Sequence, residues 1–126
     1  MHAYKRIVNE DTVYYGRHLI VDASGCNGRH KDVSLVREFV VSLVAKIGMV
    51  RWGPCICERF GEGREVGISC VQLIETSSIT VHTNDEFGDL YLDVFSCKDF
   101  DPAIVVGLIH ETFSPQSIEQ RDIFRR

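Results

Sequence analysis

Ser77 and Ser78, His82 and Cys97 are the residues whose types and spacing could do chemistry. The serines sit in a polar break, Glu75-Thr76-Ser77-Ser78, between an apolar run ending at Ile74 and another beginning at Ile79. Serine and cysteine supply nucleophiles and acids, and imidazole exchanges protons near neutral pH. A serine–histidine hydrolase is one reading, but another extended run follows Ser77 where a nucleophile elbow needs a helix. A Cys97–His82 pair is a second reading, without a local signature to support it. A third is plain packing, the commoner fate of a strand histidine or cysteine. Regular alternation would point Ser77, Ile79 and Val81 to one face and Ser78, Thr80 and His82 to the other.

The elements that must position these residues follow from periodicity. Residues 17–22, bounded by Gly16 and by Ala23-Ser24-Gly25, read as a strand. Val36, Val40, Leu43, Val44 and Ile47 recur at helical intervals, with Asp32 or Ser34 able to cap the start and Gly48 placed to end it. Residues 49–57 return to extended character, bent at Gly53-Pro54. A charged, mobile loop is expected over residues 59–65, then strands at 66–74, 79–83 and 90–96. In the last of these Leu90, Leu92 and Val94 alternate with Tyr91, Asp93 and Phe95. Asp101-Pro102 starts a second helix whose stripe is Ile104, Val105, Leu108, Ile109 and Phe113. A short strand closes the chain at 118–124, and residues 1–15 read as a polar lead-in. This order predicts an α+β fold, an antiparallel-rich sheet with helices on one face. The bare face then needs a cover, and a second copy in a homodimer supplies it.

Composition narrows the classes. The 126 residues predict a single domain, 1–126, with a core of its own. A net charge of −4 without basic runs argues against nucleic acid as a partner. No apolar run reaches membrane-spanning length, and the N-terminus lacks the apolar core of a secretion signal. Five scattered cysteines, an odd number, favour reduced thiols in a cytoplasmic protein over a disulfide framework. Cys55-Ile56-Cys57 is too closely spaced for a usual zinc knuckle, so no metal is expected.

Several segments together resemble the bacterial and archaeal S-adenosylmethionine decarboxylases. They are Gly16-Arg17-His18-Leu19, Ser69, Thr76-Ser77-Ser78-Ile79-Thr80-Val81-His82-Thr83, Asp93-Val94-Phe95-Ser96-Cys97 and Asp101-Pro102. The resemblance implies an α/β/β/α sandwich-like assembly and a chain that cuts itself before a serine. Ser77 would become a pyruvoyl group, leaving a beta chain 1–76 and an alpha chain 77–126. Its hydroxyl would attack the Thr76 carbonyl to give an ester. His82 would remove the α-proton to eliminate that ester, and Ser69 would position the centre. Cys97 would return a proton to the substrate carbon after carbon dioxide leaves. A pyruvoyl carbonyl joined to the substrate amine as a Schiff base is the electron sink that such a decarboxylation needs.

The departures concern processing and substrate. Thr76 stands where the family has Glu, and the family's His-Thr-Trp-Pro-Glu is here His82-Thr83-Asn84-Asp85-Glu86. The resemblance leaves Phe60 and Glu86 as substrate-binding candidates, one to stack on adenine and one to hold ribose. Asp85 adds an acid that could attract a basic amino acid. Three functions are therefore weighed. They are decarboxylation of S-adenosylmethionine for polyamine synthesis, decarboxylation of ornithine or arginine, and an inactive regulatory paralogue.

Overall fold

The period of two read from Leu90 to Phe95 recurs through the central strands of the computed structural model, which describes residues 4–126. A hairpin of β1 (Ile7–Asn9) and β2 (Thr12–Tyr14) precedes β3 (Gly16–Ser24) and α1 (Val33–Lys46). Four strands follow, β4 (Arg51–Phe60), β5 (Gly67–Ile74), β6 (Ser77–Asn84) and β7 (Asp89–Ser96), and then α2 (Pro102–Phe113) and β8 (Ser117–Arg125). The main sheet has the order β4-β5-β6-β7-β3-β8, and each neighbouring pair is antiparallel.

Both helices pack on one face, as the alternation requires. Leu19, Val21, Ile68, Ile79, Val81, Leu90, Leu92 and Val94 point to that side and are buried with Val40 and Leu43 of α1 and Val105 and Ile109 of α2. Phe39 and Phe113 meet edge-on between the helices, 5.0 Å apart at their centroids. Asp32 caps α1 by accepting from the Ser34 and Leu35 amides, and Asp101 caps α2 by accepting from Ala103.

The opposite face is bare and carries large apolar groups, among them Trp52, Ile56, Val71, Leu73, Tyr91 and Ile123. It also presents Ser69, His82, His18 and Asp93. His18 Nε2 lies 3.0 Å from an Asp93 carboxylate oxygen.

Three sequence expectations change. The lead-in, whose residues 1–3 lie outside those described, contains a hairpin anchored by fully buried Ile7. Its two-residue turn places both Glu10 and Asp11 at positive φ without the glycine that usually marks such a turn. The loop expected at 59–65 is shorter, because β4 runs on to Phe60 and Gly63–Glu65 form a 3-10 turn. The five thiols are not all reduced: Cys57 and Cys70 are joined as a disulfide, and Cys26, Cys55 and Cys97 are free. Register is the reason, since Cys57 and Cys70 are directly opposed on β4 and β5 with side chains on the same face. Residue spacing alone does not reveal that pairing.

Candidate active site

The polar break of the sequence contracts to a two-residue turn, Glu75 and Thr76, joining β5 to β6. Thr76 has φ of 64°. A left-handed conformation costs an L-residue about 1–2 kcal/mol, and a β-branched side chain is an outlier there. The bond between Thr76 and Ser77 therefore begins at a strained residue.

Cys97, immediately after β7, touches both sides of that bond. The Thr76 hydroxyl lies 2.8 Å from Cys97 Sγ, and the Cys97 amide donates to Ser77 Oγ at 3.1 Å. A third group comes from the N-terminal segment, where Arg6 Nη2 donates to the same sulfur at 3.4 Å. The cysteine is buried, and burial alone pushes its thiol up. Hydrogen bonding with Thr76, Arg6 and Ser77, together with the Arg6 charge, outweighs that effect and holds the thiol below its ordinary value; the Thr76 hydroxyl also donates to the Glu75 carbonyl at 2.6 Å.

Ser69 and His82 form a separate pair. They face each other across β5 and β6, with Ser69 Oγ 2.9 Å from His82 Nδ1, and the imidazole stacks on Tyr91. Both lie on the bare face. Ser77 begins the same strand with its side chain on the other face, five positions earlier, or about 17 Å along the strand at 3.4 Å per residue. Within one chain, the residues expected at the centre thus form two sets, Thr76, Ser77 and Cys97 at one end and Ser69 and His82 farther along.

The substrate-binding candidates lie near the far ends of these strands. Phe60 opposes Gly67 and is largely exposed. Asp85 and Glu86 occupy the turn between β6 and β7. The Asp85 carboxylate is engaged by Arg59 and mostly covered. Glu86 is half exposed, with Arg64 at 3.6 Å. Trp52 and Leu73, both on the bare face, line a hollow with Ile74, Glu75, Thr76 and Ser77, so the turn can be approached from that side.

The sequence does not mark Arg6, because residues 1–15 read as a polar lead-in. Ile7-Val8 and Thr12-Val13-Tyr14 around a polar pair carried the hairpin signal. Among the described residues, no group of three or more His, Cys, Asp or Glu could hold a metal ion, and no helix is long and apolar enough to cross a membrane.

A model of the S-adenosylmethionine decarboxylase family matches residues 17–126. The chain belongs to that family. Among its relatives is an S-adenosylmethionine decarboxylase proenzyme of Clostridium botulinum (strain Hall), 28% identical over 113 residues. That match covers 89% of this chain and 95% of the relative. A proenzyme of the same name from Thermodesulfovibrio yellowstonii is 32% identical over 111 residues, covering 84% of this chain and 79% of its own. The crystal structure of the adenosylmethionine decarboxylase of Aquifex aeolicus superposes with a TM-score of 0.75 at 22% identity, covering 89% and 91% of the two chains. The α+β fold of the family is therefore the fold of this chain, while β1, β2 and Arg6 precede the matched segment.

Proposed function

We propose that this family member is a self-processing S-adenosylmethionine decarboxylase, a single domain cut between Thr76 and Ser77 into residues 1–76 and 77–126. The observation that carries this reading is the contact of Cys97 with both residues of one strained peptide bond. The site suits a pyruvoyl group at residue 77. A two-residue turn at the end of a sheet can be opened without breaking the strand ladder, and the cysteine already adjoins the atoms that would change.

Processing uses the chain's own groups. Ser77 Oγ attacks the Thr76 carbonyl carbon, the amide C–N bond breaks, and an ester links the two halves. His82 then takes the α-proton of residue 77 and the ester is eliminated as a carboxylate on Thr76. The resulting dehydroalanine hydrolyses to the pyruvoyl group with loss of ammonia. That group supplies an electron sink for the carbanion left when carbon dioxide departs. Cys97 protonates the substrate carbon, and Ser69, 2.9 Å from Nδ1, holds the His82 ring.

The two separated sets of residues support a homodimer. Two chains packed bare face to bare face about a two-fold axis can bring Ser69 and His82 of one copy to Ser77 and Cys97 of the other. The apolar residues on that face supply the area to bury.

S-adenosylmethionine is favoured over a basic amino acid by the state of Asp85. Its Oδ2 already accepts from Arg59 and its Oδ1 is buried without a partner, so the charge is paired and closed off from a cationic side chain in the open face. Glu86 is held only by an exposed ion pair, which is weak and leaves it able to accept from ribose hydroxyls. Phe60 offers an open aromatic surface for adenine. The family names its members for this substrate.

Intact mass spectrometry of the denatured protein tests the processing, and carbon dioxide release from S-adenosylmethionine, ornithine and arginine tests the substrate. Two chains of 1–76 and 77–126, the second beginning in a carbonyl, with turnover of S-adenosylmethionine alone, are expected. A permanently whole chain would instead indicate a regulatory paralogue.

A further inference from the structure

Arg6 lies outside the segment that the family model covers, yet its guanidinium meets the sulfur that adjoins the expected cleavage point. The segment bearing it is well fixed. Ile7 is fully buried, the Tyr4 ring meets Tyr15 edge-on, Tyr15 stacks on Phe95, and Tyr14 packs on Phe124. The fold thus brings a cation to Cys97 on an anchored hairpin, not on a loose tail.

The sulfur then has the Arg6 guanidinium as a donor at 3.4 Å and the Thr76 hydroxyl at 2.8 Å, while the Cys97 amide donates to Ser77 Oγ at 3.1 Å and so sets that hydroxyl beside the same residue. A sulfur facing a guanidinium donor is arranged to carry negative charge. His82, assigned above to the later α-proton step, is about 17 Å away along the same chain and reaches Ser77 only from a second copy, whereas Cys97 adjoins Ser77 within the chain. We propose that Arg6 is a positioning residue that holds Cys97 as the acceptor of the Ser77 hydroxyl proton during self-cleavage. This rests on the processing reading above and adds to it the first proton transfer.

The step balances without a co-reactant. The Cys97 thiolate takes the proton from Ser77 as Oγ bonds to the Thr76 carbonyl carbon. The C–N bond then breaks, and the Cys97 S–H returns that proton to the departing amine. The thiolate is regenerated and nothing is oxidised. Cleavage also changes the sulfur's surroundings, since the Ser77 hydroxyl is lost and Thr76 becomes a chain end free to leave. Arg6 is the donor that stays. Loss of the neighbouring hydroxyl and a new carboxylate nearby favour the protonated thiol, the form required to donate a proton in turnover. One residue can thus accept a proton before the cut and donate one after it.

Other ionisable groups border this corner: Tyr4, Tyr15, Glu75 and Lys98. Lys98 is directed to the Gly48 carbonyl at 2.9 Å and is not a donor to the sulfur.

The test compares the full-length chain with Arg6→Gln and Arg6→Lys. Self-cleavage is followed across pH on gels. Cys97 ionisation is followed by thiolate ultraviolet absorbance in a Ser77→Ala background, as the difference from a further Cys97→Ser change. Losing one charged hydrogen-bond donor predicts cleavage about tenfold slower at neutral pH in Arg6→Gln. The deficit should shrink as pH rises, the Cys97 titration should move to higher pH, and Arg6→Lys should recover most of both. A Gln variant that is slow at every pH with an unmoved titration has only a structural defect and overturns the assignment, as does one identical to the parent. A parent chain that never cuts overturns the processing reading itself. The titration still decides, in that case, whether Arg6 governs the sulfur.

Discussion

Mixing two inactive variants separates a centre built within one chain from one shared between two. Ser77→Ala keeps His82 but cannot form the ester, and His82→Ala keeps Ser77 but cannot eliminate it. Ser77 and His82 lie five positions apart on opposite faces of β6, a separation of about 17 Å that no side chain spans. If the second copy's His82 serves Ser77, a mixed dimer contains one intact centre, with Ser77 from the His82→Ala chain and His82 from the Ser77→Ala chain. Random pairing of equal amounts places about half of all chains in mixed dimers, so about half of the His82→Ala chains should mature. Co-expression with distinguishable C-terminal tags, followed by intact mass measurement of residues 77–126, gives the fraction directly. Each variant alone should yield no pyruvoyl-bearing fragment. Continued absence of that fragment from the mixture, with mixed dimers present, would refute the shared centre.

Thr76 offers a second test, because strain and hydrogen bonding can be separated there. Thr76→Gly relieves the positive φ and Thr76→Val retains a β-branched residue, while both lose the hydroxyl bonded to Cys97. Release of about 1–2 kcal/mol of backbone strain predicts cleavage roughly 5- to 30-fold slower in Gly than in Val, read from cleavage half-times; equal rates would remove strain from the account. Arg17 holds Asp122 through Nε at 2.9 Å and Nη2 at 2.6 Å, and Asp99 and the Phe100 carbonyl through Nη1. Arg17→Ala should lower stability by about 2 kcal/mol in urea denaturation, with little recovery in Arg17→Lys, which lacks the planar fork. The Cys26 thiol is pushed up to about 11 by burial and, secondarily, by Asp89. From pH 9 to 11 the unfolded chain ionises this thiol while the folded chain keeps it protonated, so stability should fall as pH rises through that window. Cys26→Ser should flatten that slope.

Much of the scaffold was legible because burial imposes simple periods. The helices at 33–46 and 102–113 declared themselves through their apolar stripes and Asp caps, and β7 through strict alternation. The same alternation sets Ser77 and His82 on opposite faces of one strand. Long-range register was harder to read. Nothing in the spacing of Cys57 and Cys70 says that β4 and β5 set them opposite each other. Nor does the lead-in say that its short hairpin swings Arg6 to a sulfur 91 residues later. Asp85 read as a free acid because its partner, Arg59, lies on a strand brought near only by folding.

The strand order has a consequence for maturation. A cut between Thr76 and Ser77 assigns β3, β4 and β5 to one product and β6, β7 and β8 to the other. In the order β4-β5-β6-β7-β3-β8 these are interleaved, so three of the five ladders, β5–β6, β7–β3 and β3–β8, join the two pieces. The pieces cannot part without dismantling the sheet, and once parted they must find each other by diffusion. Folding of the intact precursor is unimolecular; reassembly after the cut is bimolecular and depends on concentration. On the proposed cut, maturation would be a ratchet: the chain would have to fold before cutting, and a denatured mature enzyme would have lost the covalent tether that first guided its sheet together.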